Sequence, residues 1–286
     1  MDISVIVPIY KGRKYIPSIQ KMVSNNVEYA ANHQMNLNVE LLLINDYPDE
    51  SINEYVKNTD MYEIRVVNNE INSGIHKTRV NGLSYSSGEF ILFLDQDDKI
   101  TDNCFYSQIS AITDYDIVVG NGYRGVKGNY KKIYKSHKKQ SLCCNELIYV
   151  RAANQIVSPG HCLIRKWAIS KAWCENIITD NGGDDLFLWL LMFEEKKRFT
   201  VNFECVYKHV DTGINLSSNL DAMYKSSDNI IYISRKCRII SKRTIDIYER
   251  RIIFLRKMQT KNLLKKGLAC LSNLDICVAK LYAYYI

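Results

Sequence analysis

The 286-residue sequence lacks several features that define large classes of proteins. No apolar run approaches the roughly 20 residues of a membrane-spanning helix. The first residues lack the basic start and the small-residue cleavage site of a signal peptide. The nine cysteines include no CxxC pair and no Cys/His cluster with zinc spacing. We therefore expect an intracellular, cytoplasmic protein with reduced thiols.

Motifs for phosphate binding and for covalent catalysis are missing as well. No GxGxxG segment follows the first apolar run, which disfavours a dehydrogenase, and no glycine-rich, lysine-bearing phosphate loop follows it either. We can place no Ser/His or Cys/His nucleophile motif. The sequence thus gives no indication of a covalent enzyme nucleophile.

Positive charge is concentrated near the C-terminus. Residues 221–286 hold 14 of the 38 Lys and Arg residues but 5 of the 31 Asp and Glu residues. Apolar residues recur among these bases at helical spacing, which predicts basic amphipathic helices. These apolar residues are Ile230, Ile233, Ile240, Ile247, Phe254 and Leu255. Two interpretations stay open, packing on the domain and contact with an anionic membrane surface. Nucleic-acid binding is disfavoured because no recognition motif accompanies the charge.

A second basic stretch, residues 123–139, contains no acidic residue. Its polar composition predicts an exposed loop or hairpin. The stretch is either a solvated surface or a contact for an anionic acceptor or membrane.

Short apolar runs rich in Val, Ile and Leu recur through the first half of the chain. They span residues 3–10, 39–46, 63–69, 89–98 and 116–121. Because the runs do not strictly alternate with polar residues, they suit strands that are covered on both faces. Helix-compatible segments separate them, so the order predicts a largely parallel α/β sheet. The runs tend to end in polar groups, and ligands of such sheets sit beyond the carboxyl ends of the strands.

Two acidic segments carry the candidate chemistry. Asp95 and Asp97 follow an apolar strand, and such oxygen ligands suit Mg²⁺ or Mn²⁺. Taken alone, this segment is equally consistent with a capped turn. Asp184 and Asp185 precede eight apolar residues, which predicts a helix buried on all sides with both acids at its N-terminus. One acid suffices for a cap, so the other is free to face a cleft.

Five segments together resemble family 2 glycosyltransferases, the inverting enzymes of GT-A fold. In order, the segments are VIVPIY, LLLIND, NSGIHKTRVNGL, GEFILFLDQDD and GGDDLFLWL. The resemblance implies a Rossmann-like catalytic domain over residues 1–220, with a mostly parallel sheet flanked by helices. Residues 221–286 lie outside it and form a C-terminal helical extension.

The resemblance also implies roles for individual residues. Asp185 matches the catalytic base, and Asp184 stands where a glutamate is commoner. The metal site for Mn²⁺ or Mg²⁺ is expected at Asp97 and Asp95, with His209 as the third candidate ligand. The donor nucleotide is expected to contact Pro8, Tyr10, Asp46, Asn72, Gly74, Arg79 and Asp95. The sugar and acceptor pocket is expected to include Gly160, His161 and Asp184.

The implied reaction moves a sugar from a nucleotide-diphosphate sugar, expected to be a UDP-sugar, to a hydroxyl of a saccharide or lipid-linked saccharide. A divalent cation can stabilise the leaving diphosphate, and a carboxylate can take the proton of the acceptor hydroxyl. Surface polysaccharide synthesis is the expected setting, with peripheral contact of residues 221–286 at the inner face of the membrane. Two alternatives are a metal-dependent nucleotidyltransferase and a catalytically inactive GT-A-like protein that binds nucleotide sugars.

Overall fold

The computed structural model describes residues 1–126, 128–180, 182–211 and 219–286. The strands are β1 (Ile3–Ile9), β2 (Val39–Asn45), β3 (Glu63–Asn68), β4 (Phe90–Phe93), β5 (Lys99–Ile100), β6 (Ile117–Val126), β7 (Asn129–Lys132), β8 (Cys162–Arg165) and β9 (Phe199–Asp211). The helices are α1 (Ile16–Asn32), α2 (Gly74–Tyr85), α3 (Cys104–Ile112), α4 (His137–Gln140), α5 (Glu146–Arg151), α6 (Lys171–Glu175), α7 (Asp184–Glu194), α8 (Leu220–Cys237), α9 (Lys242–Lys257), α10 (Leu263–Leu271) and α11 (Leu274–Tyr285).

The strands form one mixed, mostly parallel sheet. Its order is β3-β2-β1-β4-β8-β6-β9-β5, and β7 pairs with β6. β1 to β4 run parallel to one another, as do β6 and β9, whereas β8 lies antiparallel between β4 and β6. The predicted α/β fold, with a mostly parallel sheet and helices at the C-terminus, is confirmed.

Both faces of the sheet are covered, which explains the unbroken apolar runs. In β1, Val5 belongs to one core cluster and Ile6 to the other. In β2, Leu41 and Leu42 divide between the same two clusters. Successive side chains of a strand point to opposite faces, so a strand with helices on both sides needs an apolar residue at nearly every position.

The parallel register brings the carboxyl ends of the first strands to one edge. Ile9 at the end of β1 pairs with Asn45 of β2, and Asn45 pairs with Asn68 of β3. The backbone N–H of Asp46 donates to the carbonyl of Ile9 at 2.8 Å. The polar residues that follow these strands therefore lie next to one another, as the sequence predicted.

Helix α7 is buried along its whole apolar length. Every residue from Leu186 to Phe193 is buried, including the large side chains of Phe187 and Trp189. The prediction of a helix buried on all sides is confirmed. Because its body is held by packing on every side, the acidic N-terminus of α7 is held rigidly.

The first two helices of residues 221–286 complete the main core. Ile230 of α8 and Tyr248 of α9 belong to the same cluster as Phe187 and Trp189. The Tyr248 hydroxyl donates to Ser227 Oγ at 3.1 Å. For α8 and α9, packing on the domain is therefore the correct alternative. The predicted boundary between residues 220 and 221 stays a prediction.

The basic stretch of residues 123–139 begins with a hairpin. β6 and β7 pair antiparallel, with Gly125 opposite Tyr130, and residue 127 lies outside the described residues. The predicted exposed hairpin is confirmed. Among the described residues, no helix combines the length and the apolar character needed to cross a membrane.

Candidate active site

A cavity of about 550 Å³ lies at the sheet edge where the parallel strands end. Loops that follow β1, β2 and β4 contribute to its wall, together with the starts of α2 and α7 and one residue of β9. The predicted site residues on its wall are Pro8, Tyr10, Asp46, Asn72, Gly74, Arg79, Asp95, Asp97, Asp184, Asp185 and His209. Residues from distant parts of the sequence thus meet in one cavity.

Asp46, expected to contact the nucleotide base, caps the N-terminus of α2. Its carboxylate accepts from the backbone N–H of Ser73 at 2.7 Å and of Gly74 at 3.0 Å, and from the Asn69 side chain at 2.7 Å. Gly74 has a positive φ of 78°, a backbone conformation that side chains with a Cβ rarely adopt. The loop that carries Asn72 is therefore tied to the end of β2. The base contact itself stays a prediction.

Gln96, which the sequence analysis missed, joins the end of β1 to the acidic turn after β4. Its side chain accepts from the backbone N–H of Tyr10 at 3.0 Å and donates to the Tyr10 carbonyl at 3.1 Å. A Cβ at Gly12 would lie 1.9 Å from Gln96 Oε1, so a larger residue at position 12 would displace the Gln96 side chain from Tyr10. The residue between Asp95 and Asp97 thus positions the exposed ring of Tyr10. The sequence carries no local signal for this pairing.

Arg79 links the two acidic segments. Its guanidinium donates through Nη1 to Asp184 Oδ2 at 2.5 Å and through Nη2 to Asp95 Oδ1. Burial alone would lower the pKa of Arg79, but the carboxylates of Asp184 and Asp95 raise it well above its usual value. The arginine therefore stays charged, and it connects the predicted donor side of the cavity to the start of α7.

The two acids at the start of α7 occupy different environments. Asp184 is buried against Arg79, and its carbonyl accepts from the indole N–H of Trp173 at 2.9 Å. Asp185 accepts from the backbone N–H of Leu186 at 2.7 Å. Desolvation, and then the charge of Asp184, raise the pKa of Asp185 to about 7, although Arg79 acts in the opposite direction. Asp185 is therefore a carboxylate with the basicity of a group that exchanges protons near neutral pH.

The turn after β4 crowds three carboxylates together. Burial and the charges of Asp98 and Asp95 raise the pKa of Asp97 to about 6. Asp98 is buried and accepts from the Tyr207 hydroxyl and from the backbone N–H of Val210, the latter at 3.0 Å. Asp98 thus joins the turn to β9, and it lines the cavity together with Asp95 and Asp97.

This carboxylate group fits the expected divalent cation. Asp95 and Asp97 supply hard oxygen ligands, and their mutual repulsion is the kind that a cation offsets. His209 Nδ1 lies 3.1 Å from Asp98, and this contact raises the pKa of His209. Among the described side chains, no three His, Cys, Asp or Glu residues form a preassembled metal site. The metal ligands stay a prediction.

Gly160 and His161, expected in the acceptor pocket, lie behind its wall, and their placement in that pocket is corrected. The preceding residues Val157, Ser158 and Pro159 line the cavity instead. His161 is completely buried: Nδ1 lies 2.7 Å from the Gly120 carbonyl, and Nε2 accepts from the Val157 backbone N–H at 3.2 Å. Burial lowers the pKa of His161 to about 4, so this histidine is a neutral structural group.

Part of the predicted site falls outside the described residues. Residues 207–219 also resemble the segment that closes the nucleotide site in family 2 glycosyltransferases, and residues 212–218 of this segment lie outside the described residues. Residue 181, the first of the segment that leads into α7, is likewise outside the description.

With the geometry of the cavity established, comparison with known proteins identifies the family. The model of the family described as glycosyl transferase family 2 matches residues 4–171, more than half of the chain. This chain belongs to glycosyltransferase family 2. The matched region of this family 2 chain includes Asp46, Arg79, Asp95 and Asp97, whereas Asp185 lies beyond it.

Two curated relatives illustrate the sequence similarity of the family 2 chain. The minor teichoic acid biosynthesis protein GgaB of Bacillus subtilis is 25% identical over an alignment of 282 positions that covers 90% of this chain and 28% of GgaB. A GalNAc(5)-diNAcBac-PP-undecaprenol beta-1,3-glucosyltransferase of Campylobacter jejuni is 22% identical over 68% of this chain and 60% of that enzyme. The chain therefore spans less than two thirds of the length of both relatives.

A solved structure shares the fold of the family 2 chain. Residues 1–349 of TarS from S. aureus, in complex with UDP-GlcNAc, match with a TM-score of 0.60 and 16% identity. The match covers 96% of this chain and 81% of the TarS chain. At this identity the likeness concerns the fold, and it extends across the C-terminal helices.

Proposed function

We propose that this chain is an inverting glycosyltransferase. It moves a sugar from a nucleotide-diphosphate sugar, with a UDP-sugar as donor, to a hydroxyl of a saccharide or lipid-linked saccharide during surface polysaccharide synthesis. The observation that carries the proposal is the shared cavity of Asp95, Asp97 and Asp185, in which Arg79 connects the acidic turn to the start of α7.

The choice of substrates is supported by the relatives. The TarS structure contains UDP-GlcNAc, GgaB takes part in minor teichoic acid biosynthesis, and the Campylobacter relative is named for an undecaprenol-linked saccharide. A cavity of about 550 Å³ has the size of a site for a ligand such as a nucleotide sugar. On the donor side we assign Pro8, Tyr10, Asp46, Asn72 and Gly74 to the nucleotide.

We assign Asp185 as the base that takes the proton of the acceptor hydroxyl. Its pKa of about 7 suits this role, because a base whose pKa lies near the working pH is basic enough to accept a proton and is still ionised in a substantial part of the molecules. Attack on the face opposite the leaving diphosphate inverts the anomeric carbon in one step. Asp184, held by Arg79, positions the start of α7 next to this base.

The proposed metal is Mn²⁺ or Mg²⁺, held by Asp97 and Asp95 with His209 as a further candidate ligand. When bound, the cation supplies positive charge that stabilises the leaving diphosphate. Mg²⁺ is commonly held by one or two carboxylates, with substrate phosphates and water completing the shell. The proposal therefore does not require three preassembled protein ligands.

The proposed location is the cytoplasmic side of a membrane that contains the lipid-linked acceptor. Contact with that membrane through residues 221–286 belongs to the same proposal. The surplus of positive charge in this segment suits an anionic lipid surface.

The test incubates the chain with Mn²⁺ or Mg²⁺ and a panel of nucleotide sugars and acceptors, and follows the release of nucleoside diphosphate. We expect Asp185→Asn to lower transfer by at least about a hundredfold, since it removes the base, while metal-dependent donor binding persists. Asp97→Asn should weaken both donor binding and transfer. Asp114→Asn makes the same chemical change at an exposed position outside the cavity and should leave both unchanged.

Other results of this assay would support the alternative functions or a different base. Release of pyrophosphate would identify a nucleotidyltransferase. Donor binding without turnover, across all candidate acceptors, would identify a binding protein. Normal transfer by Asp185→Asn would show that the base is a different residue.

A further inference from the structure

The last two helices pack on the domain through small residues. Ala279 and Ala283 of α11 lie against Ile148 and Ala152 of the α5 region. Ala269 of α10 lies in a cluster with Phe254 of α9 and Ile276 of α11. The Lys280 ammonium donates to the Ala152 carbonyl at 3.2 Å. The inward faces of α10 and α11 therefore hold these two helices to the domain, and few of the large apolar side chains of the two helices lie on these faces.

The large apolar side chains of α10 point to solvent instead. They are Leu263, Leu264, Leu268 and Leu271, each between 64% and 81% exposed. Leu264, Leu268 and Leu271 recur every three or four residues, so they form one stripe along the helix. This pattern is the reverse of that expected for a helix that only covers its own domain.

Helix α11 continues the same arrangement. Its exposed large apolar residues are Leu274, Val278, Leu281, Tyr282, Tyr284 and Tyr285, each at least half exposed. They lie opposite the buried face of Ile276, Ala279 and Ala283. Exposed apolar side chains that recur along both of two consecutive helices are characteristic of an interaction surface and not of scattered surface residues.

The charges around this surface indicate its partner. Residues 257–286 contain five lysines and one acidic residue, Asp275. The Asp275 carboxylate is paired with Arg250 and Arg151. Lys257, Lys261 and Lys265 are exposed, the first two in the residues that lead into α10 and the third within it. Leucines and tyrosines bordered by lysines form the composition of helices that lie in the interface of an anionic bilayer.

We propose that α10 and α11 together form a membrane-docking surface that inserts its leucines and tyrosines among the lipids of an anionic bilayer. The same surface on a second copy of the chain would bring lysine against lysine, which disfavours self-association. This inference narrows the proposed membrane contact from residues 221–286 to residues 263–285, because the apolar faces of α8 and α9 pack into the core of the domain.

The docking surface is one helix layer away from the proposed base. α11 packs on the α5 region, and Tyr149 of α5 donates its hydroxyl to the Leu186 carbonyl of α7 at 3.5 Å. Leu186 directly follows Asp185. Docking through α10 and α11 therefore brings the domain that carries the site to the surface of a membrane that holds a lipid-linked acceptor.

The experiment measures sedimentation of the full chain with vesicles of phosphatidylglycerol and phosphatidylcholine in equal parts, and with phosphatidylcholine alone. We expect binding to the anionic vesicles that weakens as salt is added. Leu268→Ser combined with Val278→Ser should reduce that binding about tenfold or more, since both side chains leave the apolar surface. Lys261→Gln combined with Lys265→Gln should reduce binding to the anionic vesicles selectively.

The matched control is Leu220→Ser combined with Tyr232→Ser, which alters exposed apolar residues of α8. It should bind vesicles as the parent does. All substituted residues are exposed, and unchanged thermal unfolding would show that the variants fold.

Vesicle binding that all variants retain would overturn the proposal, as would an α8 variant that loses as much binding as the α10–α11 variant. If the chain does not bind vesicles but forms a dimer that Leu268→Ser dissociates, the surface would instead be the interface with a second copy of the chain. None of these readouts depends on glycosyl transfer.

Discussion

Arg79 and Asp184 form an ion pair of 2.5 Å between side chains that are each 5% exposed, across 105 residues of sequence. The same guanidinium bonds Asp95, whose side chain is 32% exposed at the cavity. The pair thus sets the distance between the predicted donor-binding turn and the helix that carries Asp185. Arg79 Nε is buried without a hydrogen-bond partner in the described part of the chain. The guanidinium is therefore held in place by its bonds to the carboxylates of Asp95 and Asp184.

Removing the charge of Asp184 should change the pH dependence of transfer. In Asp184→Asn, Asp185 loses a neighbouring negative charge that raises its pKa. Asp184 is also the strongest partner of Arg79, so its removal lets the guanidinium interact more strongly with Asp185. Both changes favour the ionised base. The acidic limb of the kcat/KM profile, expected at about pH 7 in the parent, should therefore move to lower pH. An acidic limb that stays in place would show that it belongs to a group other than Asp185.

Removing the charge of Arg79 should destabilise the fold. Arg79→Gln leaves the buried Asp184 carboxylate without its partner, which typically costs about 3–5 kcal/mol of unfolding free energy. Arg79→Lys keeps the charge but loses the planar fork that reaches two carboxylates, so we expect a smaller loss. Urea unfolding of the three proteins at pH 7 measures both values. Equal stability of Arg79→Gln and the parent would contradict the structural role of the pair.

Two buried histidines should make stability fall in mild acid. Burial lowers the pKa of both His76 and His161 to about 4, from an ordinary value of 6.5. Each ring also has one nitrogen that accepts a backbone N–H, from Ile178 or Val157, and protonation removes that acceptor. The unfolded chain therefore binds more protons, and stability present above pH 6.5 is lost as the pH falls toward 4.

The loss amounts to about 3 kcal/mol for each histidine over this interval. Urea unfolding at several pH values should show a weaker pH dependence for His76→Gln and for His161→Gln than for the parent. His33→Gln changes an exposed histidine and serves as the control. Parallel stability curves for all four proteins would refute this account.

A single methyl group should test the packing of α8 on the start of α7. A Cβ at Gly183 would lie 2.7 Å from the Cβ of Ser226, so Gly183→Ala should destabilise the chain by about 1–3 kcal/mol. Gly267→Ala makes the same change in α10, where nothing lies within 4 Å of the new Cβ. It should stabilise the chain by up to about 1 kcal/mol, because alanine favours helix. Thermal unfolding that ranks the two variants in the opposite order would contradict the packing described here.

The sheet and its acidic edge were predictable because local patterns define them. An apolar run such as residues 39–45 is long enough for a strand and has no exposed face, so its burial follows from its composition. The order of strands and helices then favours a parallel sheet, and parallel strands place their following residues at one edge. Most of the predicted site residues line the cavity for this reason.

Other parts of the site depend on distant pairs that no local pattern reveals. Arg79 was expected to serve the nucleotide, yet its contacts are with Asp95 and Asp184. Gln96 was not singled out, although it fastens Tyr10. Gly160 and His161 were expected in the cavity, but the residues that line it are the three just before them. A similarity in sequence locates a segment but does not tell which of its side chains faces inward.

The sequence by itself determined β1 to β4 and β6, the buried helix α7 and the chemical character of the carboxylates, because short stretches of chain are enough to show apolar composition and charge. Only the tertiary structure decided which groups share a cavity and which helices remain uncovered. The C-terminal helices illustrate the difference. All of them have apolar residues at helical spacing, but Ile230 and Tyr248 are buried in the core, whereas Leu268 and Val278 face solvent. The direction of an apolar stripe depends on what packs against the helix, and that is a property of the whole fold.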